Sequence, residues 1–136
     1  GVHEDGAFIE AGENDNLIVQ KLAANANTVG IFGYSFLEEN ASKLKGIHIN
    51  GVAPTYATIS SFQYPGARPL YIYVKNAHVR AIPAIRAFVA EITKESAIGP
   101  NGYMRSHGLV AAPAPVRARS QQAARTMTPV KFAELK

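Results

Sequence analysis

The chain has 136 residues, a length typical of one domain, with 47% apolar and 18% charged residues. This composition excludes an intrinsically disordered protein. The absence of cysteine excludes disulfides, thiol catalysis and zinc sites built on cysteine. The net charge is +4, but the basic residues near the end of the chain are not interleaved with aromatic residues, so we predict no nucleic-acid partner.

The first predicted helix spans Asp15–Ala24. Residues 14–16, Asn-Asp-Asn, supply side chains that cap helix starts, and apolar residues at 17, 18 and 22 give a helical stripe. The asparagines at 25 and 27 then end the helix. The acidic side chains at this start also favour the positive end of the helix dipole.

Several short apolar segments predict β-strands. They are the pieces at 7–9 (AFI), 28–34 (TVGIFGY), 46–51 (GIHING, ended by an Asn-Gly turn) and 69–75 (PLYIYVK). Predicted helices alternate with them: 35–46, a helix starting at Pro54-Thr55, and an amphipathic helix over Val79–Glu95, in which Pro83 is tolerated only in the first turn. This order predicts an α/β fold with about four strands and flanking helices.

No catalytic or metal-binding constellation is visible. The histidines at 3, 48, 78 and 107 have no metal-ligand spacing, and Ser35 lacks the following glycine of a nucleophile elbow. The remaining candidate is a helix start, where free backbone N–H groups bind anions. Gly12, Asn14 and Asn16 lie at the first helix start, so one hypothesis is a small α/β domain that binds a phosphorylated ligand there.

Three segments together resemble the substrate-binding protein family of bacterial phosphate ABC transporters. They are DGAFIEAGENDNLIVQKLAANANTVGIFGYSFLEEN, INGVAPTYATISSFQYPGARPLYIYVK and GPNGYMRSHGLVAAP. The resemblance implies a partial type II periplasmic-binding-protein fold, the C-terminal half, over residues 1–110. Residues 111–136 are predicted to be a Pro-rich linker and a basic tail helix.

The family grips phosphate with an N-terminal Thr or Ser and an Arg followed by a Ser-Gly-Thr run, and this sequence contains neither motif. The resemblance therefore implies a fragment that lacks most ligand-contacting motifs. It places Gly33, Tyr34 and Ser35 near the cleft floor or a hinge. Together with Gly12, Asn14 and Asn16 they form the predicted ligand-binding set.

The leading prediction is therefore a fragment of a periplasmic protein that delivers inorganic phosphate to an ABC transporter permease. It is not an enzyme and uses no metal or other cofactor. Its signal sequence is not present in this chain. A homodimer is expected to form through the surface that the missing half would cover.

Overall fold

The computed structural model describes residues 14–129 and divides the chain into two compact units, Gly1–Ile47 and His48–Lys136. The first unit contains helices α1 and α2, and the second contains α3 to α7 and one 3₁₀ helix, within the described residues. Their bounds are α1 Asp15–Ala24, α2 Tyr34–Glu39, α3 Tyr56–Ser60, α4 Asn76–Ala81, α5 Ala84–Ile92, α6 Glu95–Ile98, the 3₁₀ helix Tyr103–His107 and α7 Ala114–Thr126.

The predicted α/β fold, a partial type II periplasmic-binding-protein fold with about four strands, is wrong for residues 14–129. Strand pairing there is limited to an isolated antiparallel bridge between Ile49 and Val52. The bridge closes the predicted Asn50-Gly51 turn, in which both residues have positive φ, 51° and 79°. The turn prediction is confirmed, but the strand before it shrinks to one residue pair.

The other two strand predictions within the described residues, 28–34 and 69–75, fail for a shared reason. A strand forms only when a second backbone accepts and donates its hydrogen bonds, and in residues 14–129 neither segment is paired in a ladder. Their apolar side chains are instead exposed: Val29 by 74%, Ile31 by 89% and Leu70 by 80%. The strand predicted at 7–9 lies outside the described residues.

Helix α1 confirms the predicted bounds, because its start and stop signals are local. The Asn14 side chain accepts a hydrogen bond from the Leu17 N–H, and Asn25 is the C-cap. The helix buries Val19. A Cβ atom on Gly30 would lie 2.7 Å from Leu22 Cδ1, so the chain after α1 returns close to the helix, and a side chain at residue 30 would require the Leu22 side chain to shift.

The single helix predicted over Val79–Glu95 is wrong, because the chain forms α4 and α5 with a break at Ile82 and Pro83. Ile82 is extended, with φ −128° and ψ 91°, as expected for a residue that precedes proline. Pro83 is then the N-cap of α5. The proline therefore begins a new helix instead of lying in the first turn of a longer one.

Contacts distant in sequence hold Ala111, which is 2% exposed, in the core of the second unit. The Tyr56 hydroxyl accepts a hydrogen bond from the Ala111 N–H at 3.3 Å, and Ser60 Oγ donates to the Ala111 carbonyl at 2.5 Å. Arg105 lies over the Tyr56 ring, 4.7 Å from its centroid. Residue 111 is thus fixed to α3, while the domain boundary predicted after residue 110 stays a prediction.

Among residues 14–129, no helix is long and apolar enough to cross a bilayer.

We expect Gly102→Ala to lower the free energy of unfolding by about 3 kcal/mol, since overpacking against a fixed group is costly. The added Cβ would lie 2.2 Å from the Ala97 carbonyl oxygen, which is backbone and cannot rotate away. Urea unfolding followed by circular dichroism measures the loss.

Gly51→Ala is the matched control, because a Cβ there meets nothing within 4 Å and the cost comes only from φ 79°. It should cost about 1 kcal/mol. Equal losses for the two variants would show that close packing does not select glycine at position 102.

Candidate functional site

The predicted ligand-binding residues fall on the starts of α1 and α2, except Gly12, which lies outside the described residues. Asn14 is the N-cap of α1, and its Oδ1 accepts from the Leu17 N–H at 3.2 Å. Asn16 lies in the first turn of α1 with an exposed side chain. The Asn14 side chain is therefore already engaged by the helix that it caps.

Gly33, Tyr34 and Ser35 lie at the start of α2, where Gly33 is the N-cap and the other two residues begin the helix. Gly33 itself offers no side chain to cap this end. Its backbone N–H instead donates to Asp15 Oδ2 at 3.2 Å. The structure thus brings the starts of α1 and α2 together through the Asp15 carboxylate.

Sequence reasoning missed Asp15 as a link between the two segments. It assigned this carboxylate only to its own helix, where an acid in the first turn favours the helix dipole. The hydrogen bond spans 18 residues, and the only sequence signal was an acid near a helix start. Asp15 therefore stands at two helix starts, those of α1 and α2.

The Asp15 carboxylate has a direct consequence for anion binding. The positive end of a helix attracts anions, but at α2 this negative side chain already accepts from the Gly33 N–H. A phosphate approaching Gly33 would meet a like charge nearby, and its own hydrogen bonds would have to replace that of Asp15. The Leu17 N–H at α1 and the Gly33 N–H before α2 are therefore already engaged by side chains of this chain, which argues against the phosphorylated-ligand hypothesis.

A second polar cluster, also missed by sequence reasoning, surrounds Arg105 in the second unit. Besides lying over Tyr56, the guanidinium donates from Nη1 to the Pro100 carbonyl at 3.1 Å. With Asn101, Tyr103 and Ser106 it lines an open concave surface of about 520 Å³. The contacts with Tyr56 and Pro100 orient the Arg105 side chain and tie the 3₁₀ helix to α3.

The ion pair between Glu95 and Arg117 is the main charged contact between α6 and α7. Arg117 Nη2 lies 2.6 Å from Glu95 Oε1, and its Nε lies 3.0 Å from Oε2. Hydrogen bonding to Arg117 holds the pKa of the Glu95 carboxyl below its ordinary value, and the same contact raises the pKa of Arg117. Such bidentate geometry is directional and orients α7 against α6.

Residues 14–129 contain no group of three histidine, aspartate or glutamate side chains placed to hold a metal ion.

Replacing Asp15 with Ala should lower the free energy of unfolding by about 1 kcal/mol, because the Gly33 N–H loses its acceptor. Asp15→Asn keeps an oxygen at this place and should recover about half of the loss. Urea titration of both variants measures the difference.

Glu38→Ala is the control, since it removes an exposed carboxylate elsewhere on α2. If Asp15→Ala and Glu38→Ala were equally stable, the hydrogen bond from Gly33 would not contribute to holding the two helix starts together.

Comparison with known proteins gives one family and several relatives. The model of the PBP superfamily domain matches residues 2–96. The phosphate-binding protein PstS of Staphylococcus haemolyticus is 35% identical over 59% of this chain, and PstS of Staphylococcus epidermidis is 33% identical over 71%. Protein SphX of Synechococcus elongatus is 38% identical over 54%. No solved structure shows a significant match to the chain.

The aligned regions cover 27%, 32% and 25% of these three relatives, so the chain spans about a third of their length or less. The family match nevertheless extends over more than half of this chain and includes both helix starts described above. The resemblance to the substrate-binding proteins of phosphate ABC transporters is thereby confirmed, and the chain belongs to the PBP superfamily.

Proposed function

We propose that this chain is a portion of a periplasmic phosphate-binding protein that delivers inorganic phosphate to an ABC transporter permease. The observation that carries the proposal is the similarity to proteins named phosphate-binding protein PstS, which reaches 33% identity over 71% of the chain. The role is binding and delivery, not catalysis. The inferred location follows from the role, because such a protein meets its ligand outside the cytoplasm.

The hydrogen bonds at the two helix starts support the proposal that this portion of the protein lacks the main phosphate-binding residues. Tight binding of a dehydrated anion needs several donors that converge on one place. At the two helix starts that the sequence predicted, Asn14 accepts from the Leu17 N–H and Asp15 accepts from the Gly33 N–H. The Leu17 and Gly33 amides are therefore engaged within the chain, and we place the main phosphate contacts on another part of the protein.

Gly33, Tyr34 and Ser35 then have a supporting role near the ligand in this proposal. The Asp15 carboxylate fixes the start of α2 through Gly33, so these three residues are oriented together. A Cβ on Gly33 would lie 3.3 Å from Asp15 Oδ2, so a larger residue would require the Asp15 side chain to shift by a few tenths of an ångström. The pair would keep this segment in place while the rest of the protein grips phosphate.

Exposed apolar side chains on both extended segments support the proposal that the chain is part of a larger protein. In the first unit they are Val29 and Ile31, and in the second Leu70, Tyr71, Ile72 and Tyr73. Burial of such surface is a main source of stability, and contiguous exposed apolar residues mark interaction surfaces. We infer that the rest of the phosphate-binding protein covers them, and that in its absence a second copy of this chain does so.

We expect this chain by itself to show no stoichiometric phosphate binding at micromolar concentration in titration calorimetry. A stoichiometric isotherm would contradict the assignment of the main contacts to another part of the protein.

The reading frame upstream of Gly1 provides a separate test of the function, since it should encode an Arg followed by a Ser-Gly-Thr run. Its absence would contradict the proposed phosphate-binding protein.

The isolated chain should form dimers in sedimentation equilibrium, and the double change Leu70→Lys and Ile72→Lys should return it to monomers. The added charges would make burial of this segment unfavourable.

The control carries the same two added charges at Gln63→Lys and Gln122→Lys, which are exposed positions outside the apolar segment. This variant should dimerise like the parent chain. A monomeric parent chain, or equal dissociation of both variants, would contradict self-association through residues 70–73.

A further inference from the structure

Helix α7 packs against α5 but buries little apolar surface for its length. Of its 13 residues it buries only Ala124. By comparison, α6 buries Ala97 within four residues, and α5 buries Val89 within nine. Because burial of apolar surface is the main cohesive term in a small unit, α7 gains less from it than its length would suggest.

The polar contacts of α7 with the rest of the unit lie in its first half, in its middle and at its C-cap. In the first half, Arg117 forms the bidentate pair with Glu95, and in the middle, Gln121 Nε2 lies 3.5 Å from the same carboxylate. At the far end, Asn76 Nδ2 donates to the Met127 carbonyl at 2.8 Å. Glu95 therefore receives two side chains of α7, and its loss would remove both contacts together.

The family match ends within α6, before α7 begins. It ends at residue 96, so Glu95 lies within the matched region, whereas Arg117 and the whole of α7 lie beyond it. The ion pair thus joins the part of the chain that follows the family pattern to a helix outside that pattern. Between them lies a concave space of about 360 Å³, lined by Ala90, Thr93, Lys94 and Glu95 on one side and by Gln121, Ala124 and Arg125 on the other.

We propose that α7 is a latch, which opens as one helix away from α5 and α6 while the rest of the second unit stays folded, and that the contact of Glu95 with Arg117 and Gln121 controls this opening. Local opening of this kind is expected where an element has few buried apolar contacts. The open state uncovers Thr93, the half-buried C-cap of α5. Since the Glu95 side chain is 57% exposed, added salt screens the pair and favours opening.

Hydrogen exchange measured by mass spectrometry on the full chain tests the latch. In Glu95→Gln, the amides of α7 should exchange about three- to tenfold faster than in the parent chain. The amides of α3 and α5 should keep their rates. In the parent chain, added salt should accelerate α7 in the same selective way.

Glu91→Gln is the matched control. Glu91 pairs with Lys94 within one helical turn, and its side chain is 50% exposed, close to the value for Glu95. This variant removes a similarly exposed carboxylate whose partner, Lys94, does not lie on α7, so α7 should exchange as in the parent chain.

Two results would overturn the proposal. Equal acceleration of α7 and α5 in Glu95→Gln would show that α7 unfolds only with the rest of the unit. An unchanged α7 would show that Glu95 does not control its attachment. Neither result bears on phosphate binding, so the latch and the proposed function are tested separately.

Discussion

An extended apolar segment needs a second backbone, and this requirement shapes most of what the structure shows. The segments at 28–33 and 69–75 have the composition of β-strands, but among residues 14–129 neither forms a ladder with another segment. Their side chains are consequently exposed, with Ile31 at 89% and Leu70 at 80%. Because these segments lack a partner backbone, the described residues form helices but no sheet. For the same reason, we infer that a larger protein covers the exposed side chains.

The polar side chains discussed above form hydrogen bonds and ion pairs within the chain. Asn14 caps α1, Asp15 accepts from the Gly33 N–H at the start of α2, and Glu95 holds Arg117. Each contact pairs groups of the chain with one another. Engagement of the Leu17 and Gly33 amides within the chain fits the proposed supporting role near a phosphate held by other residues.

The second unit combines two kinds of attachment. Ala97 and Ala111 are buried almost completely, and Ala111 is fixed by hydrogen bonds from the region of α3. Helix α7 buries Ala124 and is otherwise held by the carboxylate of Glu95 and the amide of Asn76. Buried contacts resist salt, whereas a half-exposed ion pair is screened by it, so one small unit can hold a stable core and a helix that opens separately.

The sequence by itself determined the features that depend on neighbours within about four residues. Helix α1 with its Asn14 cap, the Asn50-Gly51 turn and the helix start at Thr55 were all predicted, and the structure shows them. The family resemblance could also be recognised, because it is carried by the sequence of motifs. Pro83 was noted as a residue of first turns, but the local pattern of apolar spacing outweighed it, and one helix was predicted where two form.

Only the tertiary structure decided the contacts between distant residues. Asp15 meets Gly33 across 18 residues, Arg117 meets Glu95 across 22, and Tyr56 meets Ala111 across 55. Likewise, the alternation of Leu70, Ile72 and Val74 predicts a strand, but pairing depends on a partner backbone that the local pattern does not specify. The physical reason is that capping and turn preferences act within one turn of chain, whereas sheet pairing and ion pairs depend on where the whole chain folds.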